Sequence, residues 1–257
     1  MTLYNKSEIV VEYNLYDNLP YLEINGKVNW QEKKKFLKIS LPVNLKNQRI
    51  FCEIPMSFVE RKDDGEEHPF QRWIKISGDF KNEKYGICVI NDGFYGYDFD
   101  GKELRLSILR SPRFAYHHSL NTLGKEKILK ESDYIDNGIN RFKLWLIPYK
   151  NDNINPSKYA TFLNKEIEYI LPLSHKGILP SENSFVKVEK ENIIVEVLKK
   201  GEDGNFLILR AYETSGKLTE TNLEIFGKKY RVNFGKFEIK TLKIKDNKIT
   251  EVNLLEK

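Results

Sequence analysis

The stretch FLKISLPVN, residues 36–44, decides the fold class because its apolar and polar side chains alternate one by one. Leu37 and Ile39 point to one side of an extended chain, whereas Lys38 and Ser40 point to the other. This period of two is typical of a half-buried β-strand and differs from the 3.6-residue period of a helix face.

The same alternation recurs along the chain, so we expect an all-β protein with antiparallel sheets. It is clear in ELRLSIL (residues 103–109) and RFKLWLI (residues 141–147). β-branched and aromatic residues enrich further segments, namely EIVVEY, YGICVI, NIIVEVL, FLILRAYE and KFEIKTLKI. The segment between Arg113 and Asp136 lacks alternation and predicts a long loop with a short helix near EKILKE.

A change of composition predicts two β domains. The sequence LPLSHKGILPSENSF, residues 171–185, interrupts the strand signals with prolines, serines and a glycine. We therefore expect a large sandwich domain over residues 1–172, a linker over residues 173–185, and a small β-sandwich over residues 186–257. A chain of 257 residues is long enough to bury a core in each.

Charge and hydropathy exclude several classes of partner. The 42 basic and 37 acidic residues are interspersed, and KKK at residues 33–35 is the only compact basic run, so we expect no nucleic acid partner. No apolar stretch reaches the length of a membrane span, and the N-terminus lacks a signal core. Together with Cys52 and Cys88, which fall in apolar runs as free thiols, this predicts a cytoplasmic protein without a membrane partner.

The acidic segment YDFDG is similar to a calcium loop but fails its spacing. If Gly101 takes the sixth loop position, the first and twelfth positions fall on Gly96 and Ser107, which cannot supply the required carboxylates. FDG therefore predicts a tight hairpin turn in which Gly101 adopts a positive φ, and NDG at residues 91–93 gives a similar signal.

Other catalytic motifs are absent or ambiguous in the sequence. The chain has no HExxH, GxSxG, phosphate-binding loop or dinucleotide fingerprint. His117 and His118 favour a polar loop pair, although a loop could bring both to one metal ion. The many acidic residues neither establish nor exclude a glycosidase pair of carboxylates. Trp73 and Trp145 lie in strand patterns, which favours core packing over stacking on a sugar.

Six ordered segments resemble the C-terminal β region of glycoside hydrolase family 38, the α-mannosidases. They are VNWQEKKKFLKISLPVN, EIPMSFVERKDDGEEHPFQRWIKISG, YGICVINDGFYGYDFDGKELRLSILRSPRFAYHH, SDYIDNGINRFKLWLIPY, VEVLKKGEDGNFLILRAYETSG and KFEIKTLKI. The chain departs from the family pattern at Asn29, where aspartate is usual, and at Asn140 and Tyr149, where histidines are common.

The resemblance implies a large super-sandwich of the galactose-mutarotase-like kind, followed by a small β-sandwich. It also implies that the chain begins partway into the large sandwich and is a non-catalytic fragment of a zinc-dependent, retaining α-mannosidase. The family's zinc ligands and nucleophilic aspartate belong to an upstream barrel, so no catalytic or metal-binding residue is expected here. The isolated chain is therefore expected to be inactive.

The resemblance further implies residues beside the substrate cleft. Arg110 stands where the family has an arginine close to the bound mannose, and a surface salt bridge remains an equal alternative for it. Asn91, Asp92 and Tyr95 match a hairpin that shapes the sheet beside that cleft, so we expect a structural role first and substrate orientation second.

The implied partners are an α-mannoside, bound through the parent enzyme, and the upstream catalytic domain, with a homo-oligomer left open. Two rival functions remain. One is a stand-alone carbohydrate-binding β-sandwich module with Arg110 or Trp73 as its anchor, and the other is a structural or oligomer-forming domain.

Overall fold

The fold is described from a computed structural model, which covers residues 2–112, 134–165, 167–171, 173 and 176–257. Contacts between Cα atoms divide the chain into two compact units. Unit 1 comprises Met1–Glu53 and Val59–Pro156, and unit 2 comprises Ile54–Phe58 and Ser157–Lys257. The predicted helix near EKILKE and the His117–His118 pair lie outside the described residues.

Unit 1 is built on an eight-stranded antiparallel sheet. In spatial order its strands are β1 (Thr2–Tyr4), β2 (Ser7–Leu15), β3 (Leu22–Trp30), β12 (Gly138–Lys150), β9 (Glu83–Asn91), β8 (Trp73–Phe80), β5 (Lys46–Ile54) and β6 (Ser57–Arg61). The long strand β12 lies at its centre and pairs with β3 on one side and with β9 on the other.

A four-stranded sheet covers one face of this large sheet. Its order is β4 (Phe36–Pro42), β11 (Glu103–Arg110), β10 (Gly96–Phe99) and β7 (His68–Pro69). Fully buried side chains from both sheets form one core, including Val28 and Ile76 from the large sheet and Leu104, Leu106 and Phe99 from the small one. The predicted large antiparallel sandwich is therefore confirmed.

Unit 2 contains the predicted small sandwich. One sheet has the order β13 (Val186–Val188), β16 (Thr219–Ile225) and β17 (Lys228–Phe234), and the other has the order β14 (Ile193–Lys200), β15 (Leu207–Glu213), β18 (Ile239–Lys245) and β19 (Lys248–Val252). Leu209 and Leu242 from one sheet pack with Leu223 and Phe234 from the other.

The helix α1 (Pro156–Asn164) was not predicted from the sequence. Its segment PSKYATFLN shows no strong apolar stripe, which is why periodicity did not identify it. Pro156 occupies the first helical position, where the missing N–H has no helical partner to lose. None of the helices among the described residues is long and apolar enough to cross a membrane.

The two turn signals differ in structure. Gly101 adopts a φ of +82° between β10 and β11, as the FDG motif predicts for a tight turn. The NDG segment instead leads from β9 of the eight-stranded sheet to β10 of the four-stranded sheet, and Gly93 has no positive φ. The prediction of a second turn of the same kind was therefore wrong, because this link joins two sheets rather than two paired strands.

The domain boundaries at residues 173–185 stay a prediction. The described residues 176–184 contain no strand, and apolar side chains such as those of Ile178 and Leu179 are exposed there. Strand β13 begins at Val186, immediately after the predicted linker.

Candidate functional site

Asn91 braces the link between the two sheets of unit 1. Its side chain is fully buried, its Nδ2 donates to the carbonyl of Gln71 at 2.8 Å, and its Oδ1 accepts from the N–H groups of Gly93 and Phe94 at 2.8 and 3.0 Å. An asparagine suits this position because one short amide both donates and accepts. These contacts commit the Asn91 side chain to the backbone around it.

A buried ion pair between Glu53 and Arg72 contacts the segment that joins β9 to β10. Glu53 is 2% exposed and accepts from the backbone N–H of Arg72 at 2.7 Å and from its Nη2 at 2.6 Å. The carbonyl of Arg72 in turn accepts from the N–H of Asn91 at 2.9 Å. The segments EIP, QRW and NDG, which are far apart in the sequence, thus form one hydrogen-bonded unit.

Asp92 joins the link to the central strand. Its Oδ1 accepts from the backbone N–H of Lys143 in β12 at 2.9 Å. Loss of water around the carboxyl group raises the pKa of Asp92 above its usual range, although the hydrogen bond from Lys143 opposes this rise. The residue is exposed, but this hydrogen bond ties its carboxylate to β12.

Tyr95 has an exposed ring, unlike Asn91. Its side chain is 58% exposed, while its carbonyl accepts from the N–H of Phe70 at 3.0 Å. An exposed tyrosine offers both an apolar face and a hydroxyl to a ligand.

Arg110 ends β11 on the outer face of the four-stranded sheet. It lies directly opposite Phe36 of β4, whose ring is 48% exposed. The backbone N–H of Arg110 is 3.5 Å from Oδ2 of Asp136. The Arg110 residue is exposed, and within the described ranges no carboxylate pairs with its guanidinium.

The rest of this outer face carries a network of charges, which we call the outer-face network: Lys38, Glu67, Asp98, Asp100, Glu103 and Arg105. Lys38 binds Glu67 and Asp98, and Arg105 binds Asp98 as well as Asp100 at 3.1 Å and Glu103 at 2.9 Å. Asp98 is 5% exposed and lies between the two cations. The hydrogen bond to Asp98 raises the pKa of Arg105 further above its usual range.

The structure brings the predicted site residues only partly together. Register pairs Ser107 of β11 with Gly96, the residue after Tyr95. Arg110 lies beyond a β-bulge in β11 and pairs with Phe36, two residues from Lys38, the β4 partner of Ser107; this corresponds to about 7 Å of strand. No hydrogen bond or ion pair among the residues covered by the structure joins Arg110 to the Asn91–Tyr95 link. Tyr95 and Arg110 thus lie toward the same end of the four-stranded sheet.

Phe36, which lies beside Arg110 on the outer face of the four-stranded sheet, was not predicted from the sequence as a site residue. Its position has the same parity as Lys38 and Ser40, the outward-facing positions of β4, so the alternation could have identified it. A guanidinium beside an exposed ring can bind a sugar through hydroxyl hydrogen bonds and apolar contact with C–H groups.

Neither tryptophan considered as a sugar-stacking residue offers a free ring. Trp73 is 2% exposed. The ring of Trp145 stacks on Tyr21 at a centroid distance of 4.0 Å, and its Nε1 donates to Glu23 at 2.9 Å. Packing occupies both rings, as the strand patterns favoured.

Zinc does not fit the described part of the chain. No group of three histidine, cysteine, aspartate or glutamate side chains there could hold a metal ion. The buried acids Glu53 and Asp98 already bind arginine or lysine, so their charge is compensated.

Comparison with known proteins decides the family. The model of the glycosyl hydrolases family 38 C-terminal domain matches residues 1–118, and that of the family 38 C-terminal beta sandwich domain matches residues 192–257. The chain belongs to the C-terminal region of glycosyl hydrolase family 38. The two matches fall on the large and the small sandwich, respectively.

Curated relatives of this family 38 chain carry the name alpha-mannosidase. Alpha-mannosidase G of Dictyostelium discoideum is 27% identical over 213 residues, which is 80% of this chain. Alpha-mannosidase of Saccharomyces cerevisiae is 25% identical over 73% of the chain, and human alpha-mannosidase 2C1 is 25% identical over 77%. The chain spans only 18% of the length of each relative.

Solved structures support the same fold. A family 38 protein from Enterococcus faecalis superposes with a TM-score of 0.72 over 92% of this chain and 30% of its own, at 14% identity. An alpha-mannosidase from Enterococcus faecalis V583 gives the same TM-score over 92% of this chain and 29% of its own.

Proposed function

We propose that this chain is the non-catalytic C-terminal β region of a zinc-dependent, retaining α-mannosidase that hydrolyses terminal α-mannosidic bonds. The ordered match of both sandwiches to family 38 carries the proposal. The names of the relatives support the substrate, and the small share of their length that the chain spans is consistent with chemistry performed elsewhere in the polypeptide. Zinc would belong to that other part.

The role of this chain would be to flank the substrate cleft with Arg110. Five N–H donors in a fixed fork can bridge vicinal hydroxyl groups of a mannose ring. Arg110 is exposed, in contrast to Arg105, whose guanidinium binds three carboxylates. Asn91 and Asp92 would hold the sheet beside the cleft, and Tyr95 would contribute an exposed ring.

The partners follow from this role. They are the α-mannoside, the catalytic part of the same polypeptide and, as a further expectation, a second copy of the chain. We place the enzyme in the cytoplasm because Cys52 and Cys88 are buried free thiols, which suit a reducing compartment.

Hydrolysis of an aryl α-mannoside by the purified 257-residue chain tests the assignment first. We expect no turnover with added zinc or with a chelator, because the carboxylates and metal ligands that retaining hydrolysis requires would lie elsewhere. Zinc-dependent turnover by the chain alone would contradict the proposal.

The role of Arg110 is tested in a longer polypeptide that joins this region to its catalytic part. We expect Arg110→Ala to lower kcat/KM by about tenfold or more, as for the loss of a charge-assisted hydrogen bond. Arg231→Ala removes an exposed arginine of unit 2 and serves as the matched control. If both variants have the same kcat/KM, Arg110 is an ordinary surface residue and does not contact the substrate.

The alternative function is a carbohydrate-binding module that acts alone. The exposed Phe36 ring opposite Arg110 is the observation that favours it. It predicts that the isolated chain binds methyl α-mannoside saturably and that Arg110→Ala abolishes this binding.

A further inference from the structure

The chain contains two Asn-Gly pairs, at residues 25–26 and 137–138, and the fold places them in contrasting surroundings. Asparagine is a chemically labile residue, and a following glycine favours its reaction because no side chain hinders attack of the glycine nitrogen on the asparagine amide. In a folded protein this attack also requires that the two residues can move relative to each other. Any difference in reactivity between the two pairs therefore comes from the fold.

The first pair is held inside the eight-stranded sheet. Gly26 is buried and pairs with Val11 of β2 on one side and with Phe142 of β12 on the other. The amide of Asn25 is itself bound, since its Nδ2 donates to Oε1 of Glu23 at 2.9 Å. The backbone nitrogen of Gly26 cannot reach the Asn25 amide unless this part of the sheet opens.

The second pair lies at the start of β12, on the surface. Asn137 is exposed and belongs to no strand, and among the residues that the structure describes no hydrogen bond holds its side chain. Its neighbours Asp136 and Gly138 have φ values of +60° and +107°, which helices and strands do not use. Gly138 is the first residue of β12, where pairing with β3 begins. Strand ends open more readily than strand centres.

The contacts around Asn137 fix the turn without binding its amide. Nδ2 of Asn140 donates to the carbonyl of Asp136 at 2.8 Å and to that of Gly138 at 3.3 Å. Both bonds go to carbonyl oxygens on either side of Asn137. The two reacting groups, the Asn137 amide and the Gly138 nitrogen, receive no bond from Asn140. Asn140 therefore keeps the turn in place and leaves the Asn137 side chain free.

We propose that Asn137–Gly138 is a site of spontaneous covalent modification, at which Asn137 is converted to aspartate or isoaspartate while Asn25 stays intact. The backbone nitrogen of Gly138 forms a bond to Cγ of Asn137, and the side-chain nitrogen leaves as ammonia with the proton of the Gly138 N–H. Water then opens the cyclic imide at either of its two carbonyl groups. The reaction consumes one water molecule and needs no enzyme, metal ion or oxidant.

The product changes the charge beside Arg110. Oδ2 of Asp136 lies 3.5 Å from the backbone N–H of Arg110, so conversion of Asn137 adds a second carboxylate next to this contact. Isoaspartate also lengthens the backbone by one methylene group immediately before β12. The end of the sheet that carries Arg110 thus gains negative charge as the protein ages. This inference does not depend on the mannosidase role.

Incubation of the purified 257-residue chain, followed by digestion and mass spectrometry, measures both Asn-Gly pairs in one sample. We expect the folded chain to convert Asn137 at least about tenfold faster than Asn25, because Asn25 reacts only when the sheet opens. In a chain kept unfolded in urea the two rates should become similar. Asn137→Gln should abolish the fast reaction, since glutamine would have to close a larger ring, and should leave the rate at Asn25 unchanged.

Two results would overturn the proposal. One is an equal rate of conversion at Asn25 and Asn137 in the folded chain, because the local sequence rather than the fold would then decide reactivity. The other is an intact Asn137 in the folded chain after an incubation that converts both asparagines in urea. Neither result bears on hydrolysis by the longer polypeptide, so the mannosidase assignment is judged separately.

Discussion

Glu213 shows how hydrogen bonds stabilise the charge of a single buried side chain. It is fully buried and accepts from the N–H groups of Ser215 and Gly216, both at 2.7 Å, and from Nδ2 of Asn192 at 2.8 Å. Burial alone would raise the pKa of Glu213, but hydrogen bonds from Ser215 and from the N–H of Phe237 outweigh it and lower the pKa.

We expect Glu213→Gln to lower the free energy of unfolding of unit 2 by about 2–3 kcal/mol, because the amide would turn an N–H toward backbone donors. Far-UV circular dichroism during thermal unfolding measures the change. Glu220→Gln alters an exposed glutamate in the same unit and should stay within about 0.5 kcal/mol. Equal effects would show that the hydrogen bonds to Glu213 contribute little.

The same group predicts a dependence on pH. Because folding lowers the pKa of Glu213 from its usual 4.5, the ionised side chain stabilises the fold above that pH. The stabilisation is lost as the pH falls through the folded pKa, when the carboxylate takes up a proton. Glu213→Gln should therefore flatten the stability of unit 2 against pH in the acid range.

Asn91→Ala tests the brace between the two sheets of unit 1. We expect a loss of about 2 kcal/mol in the free energy of unfolding, since the Gln71 carbonyl and the Gly93 and Phe94 N–H groups lose their partner. All three tryptophans lie in unit 1, so tryptophan fluorescence in urea follows this unit. Tyr95→Ala, at an exposed position, should change the free energy of unfolding little. An equal loss in both variants would show that the Asn91 hydrogen bonds do not stabilise the segment between the two sheets.

Among the strands, β3 shows where sequence reasoning fails. Its inner positions are Leu22, Ile24, Gly26, Val28 and Trp30, which alternate like those of β4. The glycine interrupts the apolar pattern, because the space above residue 26 is filled by a side chain from a neighbouring strand. The ring of Phe142 on β12 occupies the space that a Cβ of residue 26 would need.

Strands that carry their own apolar side chains were predictable. The alternation in FLKISLPVN and ELRLSIL identified β4 and β11 directly, because each presents its own half of the core. The site was harder to predict, since the hydrogen bonds from Glu53 through Arg72 to Asn91 join three segments about twenty residues apart in the chain. Such contacts follow from strand order, which no local pattern contains.

Gly26→Ala tests whether the Phe142 ring of β12 requires glycine at position 26 of β3. The added methyl group overlaps the Phe142 ring, and overpacking of this kind costs about 1–3 kcal/mol. Gly93→Ala is the matched control, because nothing lies within 4 Å of a Cβ at that position. Tryptophan fluorescence in urea compares the two. If both variants unfold alike, the ring does not require glycine.

For the chain as a whole, the segment around the predicted linker exposes apolar side chains. Tyr169, Leu173 and Leu179 are 80, 91 and 88% exposed. Chymotrypsin cleaves after such residues, so brief digestion should cut first between residues 167 and 185. Mass spectrometry of the fragments locates the cuts. A first cut inside a strand of either sandwich would contradict the predicted boundary at residues 173–185.

The outer-face network has a consequence for the evolution of this sheet. Asp98 shares its charge between Lys38 and Arg105, so losing either cation alone leaves the nearly buried carboxylate short of compensation. Mutations at these positions should therefore be accepted in pairs across lineages. Where a related sheet has lost Arg105, we expect an uncharged residue at position 98 or a new cation nearby.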